Sequence, residues 1–110
     1  MPLVISRKAK QVFLIRNEEW LGEILGHSDF DGEDWTIGDE IVFEDGMTAE
    51  IVKLPGEKFH DWSEPMPGNL SVLLARIESL SAPKGLLIAS VEDWKQLFDK
   101  ARSFACLRYV

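Results

Sequence analysis

Glu40-Ile41-Val42-Phe43-Glu44-Asp45-Gly46-Met47-Thr48-Ala49-Glu50-Ile51-Val52-Lys53-Leu54 is the stretch on which the fold turns. Two runs rich in β-branched and aromatic residues flank Asp45-Gly46, the mark of a hairpin. Loop length then decides register. A two-residue loop at Asp45-Gly46 would pair Phe43 with Thr48 and Ile41 with Glu50, setting apolar against polar side chains. A three-residue loop, Glu44-Asp45-Gly46 with Gly46 left-handed, pairs Phe43 with Met47 and Ile41 with Ala49. It places Ile41, Phe43, Met47, Ala49 and Ile51 on one face, and that matching selects the bulged turn.

Toward the N-terminus, residues 26–38 hold turn formers and no sustained period, so they read as a loop. Before it, Trp20, Leu21, Ile24 and Leu25 share one helical face. Asn17 stands as N-cap, Glu18 and Glu19 occupy the first turn where the dipole favours negative charge, and Gly26 is the stop. Gln11-Val12-Phe13-Leu14-Ile15 is a strand. Arg7-Lys8-Ala9-Lys10 separates it from a short apolar stretch at 3–6.

Toward the C-terminus, three prolines and two glycines forbid a long regular element across 55–68. Leu70, Leu73, Leu74, Ile77 and Leu80 then repeat at helical spacing, with Asn69 or Ser71 as cap. Residues 86–89 read as a buried strand. Ser90 and Asp93 open a last helix with Val91, Trp94, Leu97, Phe98 and Ala101 on one face, and residues 106–110 are short and strand-prone. The order over residues 11–89 is β-α-β-β-α-β, a ferredoxin-like core. The whole chain, 1–110, reads as a single α+β domain: a mainly antiparallel sheet with helices on one face, an added N-terminal strand, and a C-terminal helix and short strand. Leu73, Leu74, Ile77, Trp94, Leu97 and Phe98 are expected to form the core of two helices on the same side of that sheet.

Charge is segregated along the chain. The net value is −7, yet residues 1–16 carry Arg7, Lys8, Lys10 and Arg16 without an acid, and residues 17–68 carry fifteen acids against Lys53 and Lys58. Proteins that grip phosphate backbones show the opposite bias, so nucleic acid is not expected as a partner. No apolar run reaches the roughly 18 residues of a membrane span, and no membrane partner is expected. The N-terminus reaches charge at Arg7, too early for a signal peptide, and Cys106 is the only cysteine, which fits a reducing compartment. The expected location is cytoplasmic.

Motifs for chemistry are sparse. Asp29, Asp31, Glu33 and Asp34 invite a calcium reading. Setting Gly32 at the sixth position of an EF-hand loop, however, puts His27 first and Gly38 twelfth, where Asp and Glu are required. His27 and His60 sit in no metal-binding pattern, and one cysteine cannot make a Cys₄ or Cys₂His₂ zinc site. No cofactor is called for. Trp20 and Trp94 read as packing residues. In the loops, Trp35 and the stretch His60-Asp61-Trp62-Ser63-Glu64 mix aromatics with acids as binding surfaces do, or else cap the core.

These features point to a non-catalytic acidic protein docking on a basic protein partner, in an immunity- or antitoxin-like role or as a small regulatory subunit. Asp29, Asp31, Glu33, Asp34, Trp35, His60, Asp61, Trp62 and Glu64 are the expected contact residues. The alternative is a small-ligand or sensor domain, homodimeric, with a pocket beneath the two loops; a small enzyme without a recognisable motif comes third.

Overall fold

The hairpin at 40–53 forms as its turn residues dictate. In a computed structural model that describes residues 1–26, 35–53, 56, 60–80, 91–103 and 108–109, β3 (Glu40–Val42) and β4 (Met47–Lys53) pair antiparallel, with Ile41 opposite Ala49. Phe43 N–H donates to Met47 O over 2.8 Å, and Gly46 sits at φ +88°. The three-residue turn is therefore the one adopted, and Ile41, Phe43, Ala49 and Ile51 are buried together, with Met47 packed against them.

The N-terminal stretch forms a second hairpin. β1 (Leu3–Ser6) and β2 (Gln11–Leu14) pair antiparallel around a turn at 7–10, where Ser6 Oγ accepts the Ala9 N–H at 3.0 Å and Lys10 takes φ +53°. β1 also pairs antiparallel with β3. The connection from β2 to β3 carries α1 (Glu18–Leu25), so β2 and β3 run parallel with β1 between them. This is a split βαβ unit whose gap is filled by the N-terminal strand. β5 (His60–Trp62) and β6 (Met66–Pro67) pair along the outer side of β4, and β7 (Arg108–Tyr109) runs parallel to β2. The sheet order is β5-β4-β3-β1-β2-β7.

The α+β class and mainly antiparallel sheet stand, but the ferredoxin-like arrangement is not what the described strands build. β2 takes β1 and β7 as neighbours, not the 40–53 hairpin. The strand expected at 86–89 lies outside the described residues. Residues 55–68, expected to be irregular, supply β5 and β6, both short enough to coexist with the prolines.

Helices on one face is also corrected. Side chains alternate across the sheet with period two. Leu3, Ile5, Val12, Leu14 and Val42 pack with Leu73 and Ile77 of α2 (Leu70–Ser79) and with Leu97, Phe98 and Ala101 of α3 (Trp94–Ser103). Leu74 and Trp94 are half-buried against this cluster. On the opposite face Val4, Phe13, Ile15 and Ile41 pack with Leu21 and Leu25 of α1 and with Trp35. A strand apolar at every position needs cover on both sides, and here it has helices on both. Caps set where the helices begin: Asn17 Oδ1 accepts from Trp20 N–H at 2.6 Å, Asn69 Oδ1 from Val72 N–H at 3.1 Å, and Asp93 Oδ1 from Gln96 N–H at 2.8 Å.

Candidate functional site

α2 and α3 cover the β1–β2–β3 part of their face and leave β4 open. Thr48 and Glu50 point from β4 into the gap, because their neighbours Ala49 and Ile51 face α1. The gap is a groove of about 540 Å³ between β4 and α2, closed at its outer side by residues 63–69. Glu40, Glu50, Glu64, Met66, Val72 and Arg76 line it. Met66 and Val72 are two of the three large apolar side chains that stand exposed among the described residues.

Register puts charge in the groove floor. Glu40 lies directly opposite Glu50, two carboxylates on adjacent strands and the same face. Like charges in that position repel. Arg76 reaches down from α2 and pairs with Glu40. Beyond this bridge lies a hollow of about 310 Å³, lined by Ile5, Arg7 and Gly38 together with Glu40, Glu50 and Arg76. Arg7 is held there by Asp39, which is fully buried. Asp39 Oδ1 lies 3.2 Å from Arg7 Nε, Asp39 Oδ2 accepts the Thr36 N–H at 2.9 Å, and Arg7 Nη2 donates to Ile37 O at 3.2 Å. The groove hydroxyls are engaged with backbone: Ser63 Oγ accepts the Glu50 N–H, and Thr48 Oγ1 donates to Met66 O.

The outer side of the groove is a sheet edge that offers an added strand few backbone N–H groups. Ser63 N–H points to Glu50 O, so by alternation the N–H of Trp62 points away from the sheet. The Asp61 carboxylate accepts that N–H at 2.8 Å. Pro65 and Pro67 follow, and neither carries an N–H.

Of the expected contact residues the structure describes Trp35, His60, Asp61, Trp62 and Glu64. Asp29, Asp31, Glu33 and Asp34 lie outside the described residues, as does Cys106. Trp35 is buried with its ring edge-on to Phe13, centroids 5.6 Å apart, so it is a core residue and not a surface one. His60 is buried as well. Trp62 packs edge-on to Phe43 at 5.9 Å and beside Gly22 of α1, on the face away from the groove. Asp61 is exposed at the edge, and among the described members of the set Glu64 alone lines the groove. The pocket expected beneath the two loops falls largely on residues 27–34 and 57–59, which lie outside the described residues. Glu40, Glu50 and Arg76 were not anticipated as site residues. The signal was available, since the hairpin register that pairs Ile41 with Ala49 also sets Glu40 against Glu50.

Among the described residues no group of three His, Cys, Asp or Glu side chains is placed to hold a metal ion, and no helix is long and apolar enough to cross a membrane. Comparison with protein-family models, with curated proteins and with solved structures finds no match to this chain.

Proposed function

We propose that this chain is a cytoplasmic, non-catalytic binding protein that docks on a basic protein partner through the groove between β4 and α2. The observation that carries the reading is the make-up of that groove: three carboxylates against one guanidinium, with exposed Met66 and Val72 beside them. Apolar contact supplies affinity at such a surface, while the excess negative charge steers a basic partner in and rejects acidic ones. Engagement of the Ser63 and Thr48 hydroxyls with backbone favours binding over nucleophilic chemistry.

The test is a pull-down at low and high salt, followed by titration of the captured basic protein against two charge-reversal variants. Reversal at Glu50 and Glu64 is expected to weaken binding most at low ionic strength, where the Debye length reaches about 30 Å against about 8 Å at 0.15 M. Reversal at Asp29, Asp31, Glu33 and Asp34 tests whether that loop extends the docking face. Affinity unchanged by both reversals at low salt overturns the reading.

A second reading has its own observation. The inner hollow of about 310 Å³ carries Arg7 and Arg76 with Glu40 and Glu50, both signs of charge at the size of a small zwitterionic molecule. Binding of that kind would be lost on Arg7→Ala and would leave the affinity for a basic protein untouched.

A further inference from the structure

Resting on the docking reading, we infer that Glu50 is the seat for a cationic side chain of the partner, and that Arg76 is a built-in competitor occupying half of that seat. The ligand chemistry is a peptide segment with an arginine or lysine beside an aliphatic residue.

The argument starts from the floor of the groove. Glu40 and Glu50 are direct cross-strand neighbours, which places their Cβ atoms about 4.5–5.5 Å apart. A pair of carboxylates at that separation accepts one cation between them, or one cation each. Arg76 pairs with Glu40, and among the described residues no cation pairs with Glu50, which is exposed. Arg76 is 43% exposed against 18% for Glu40, so water and an incoming cation reach the bridge from the Arg76 side, where it opens most readily. An incoming guanidinium or ammonium gains Glu50 directly and competes with Arg76 for Glu40. The aliphatic neighbour is called for by Met66 and Val72, exposed on opposite walls of the same groove and available to be covered as the charge docks. Backbone pairing adds little beside these side-chain contacts, because Trp62 N–H is engaged by Asp61 and neither Pro65 nor Pro67 carries an N–H.

The experiment titrates the isotopically labelled full chain with a capped peptide of alternating arginine and leucine, followed by amide chemical shifts at low ionic strength. Glu50→Gln is expected to weaken binding roughly two- to fivefold, the range for loss of one exposed ion pair. Arg76→Leu and Arg76→Gln are expected to tighten it by roughly the same factor, because a competitor has gone. The triple change Glu18→Gln, Glu19→Gln and Glu23→Gln on α1, across the sheet, is expected to leave affinity unchanged. Urea midpoints close to that of the parent confirm that each variant folds. If neither Glu50→Gln nor the α1 triple weakens binding, the seat is wrong while docking in the groove survives. If the α1 triple weakens binding and Glu50→Gln does not, the peptide docks on the other face and the docking reading falls with the seat. If removal of Arg76 weakens binding in both variants, Arg76 belongs to the site and the competitor role is overturned. If the peptide binds none of the proteins while a captured basic protein still does, the peptide chemistry is overturned. If neither binds, the docking reading falls too.

Discussion

The indole of Trp94 lies against the backbone of Gly46, so that a Cβ on that glycine would stand 2.5 Å from Trp94 Nε1 and 2.7 Å from Cδ1. The first turn of α3 is thus packed on the tip of the β3–β4 hairpin. Gly46 is required twice over, once for its φ of +88° and once for this approach. Gly46→Ala is expected to cost about 2–4 kcal/mol, combining left-handed strain with overpacking. In a Trp94→Ala background the same change should cost only the backbone part, about 1 kcal/mol or somewhat more. Urea denaturation of the four proteins in the cycle measures the coupling; additive losses would show that the contact carries no energy.

Asp39 holds the turn at 36–39 to the first hairpin by accepting from the Thr36 amide and from Arg7. Asp39→Ala leaves those part-buried donors without their acceptor, and a loss of about 1–3 kcal/mol is expected. Asp39→Asn turns an amide NH₂ toward one of the donors and should cost less than the alanine change but more than nothing. Thermal unfolding of both variants checks the order.

Leu73 and Leu74 are adjacent on α2 and differ in burial. Leu73 is 2% exposed within the core, whereas Leu74 packs half-buried at its margin. Leu73→Ala should cost about 2–5 kcal/mol. Leu74→Ala should cost clearly less, because solvent already reaches the space it vacates. Equal losses would place Leu74 under cover that the described residues do not show.

Lys10 takes φ +53° in the exposed turn between β1 and β2. Asparagine tolerates that conformation better than lysine does. Lys10→Asn is expected to raise stability by about 0.5–1 kcal/mol, read as a higher urea midpoint with an unchanged denaturant slope. A lower midpoint would show that the lysine side chain contributes more than its backbone costs.

Much of the local structure could be read along the chain, because its causes are local. Asp45-Gly46 and the matching of faces specified one hairpin register. Asn17 and Asn69 announced helix starts, and the C-terminal residues announced a strand. Neighbour choice in the sheet is a different problem. Periodicity tells which face a strand buries but not which strand lies beside it, so the entry of Leu3–Ser6 between β2 and β3 was hidden. The opposite placement of α1 was implicit in residues 12–15, apolar at every position and therefore covered on both sides. The groove was half-legible. Aromatics drew attention to Trp35 and Trp62, yet both turn back onto the core, as large rings do when a loop offers them cover. The carboxylates that face each other, Glu40 and Glu50, stood in the strands.

The Asp61 carboxylate on the Trp62 amide, followed by two prolines, also decides how copies of this protein meet one another at high concentration. An open strand edge is a promiscuous adhesive: it recognises backbone, every chain has backbone, and each chain that joins presents a fresh edge to the next. Withholding N–H groups at Trp62, Pro65 and Pro67 makes this side a poor template for such propagation. Recognition on this flank then rests on side chains, which discriminate where backbone does not.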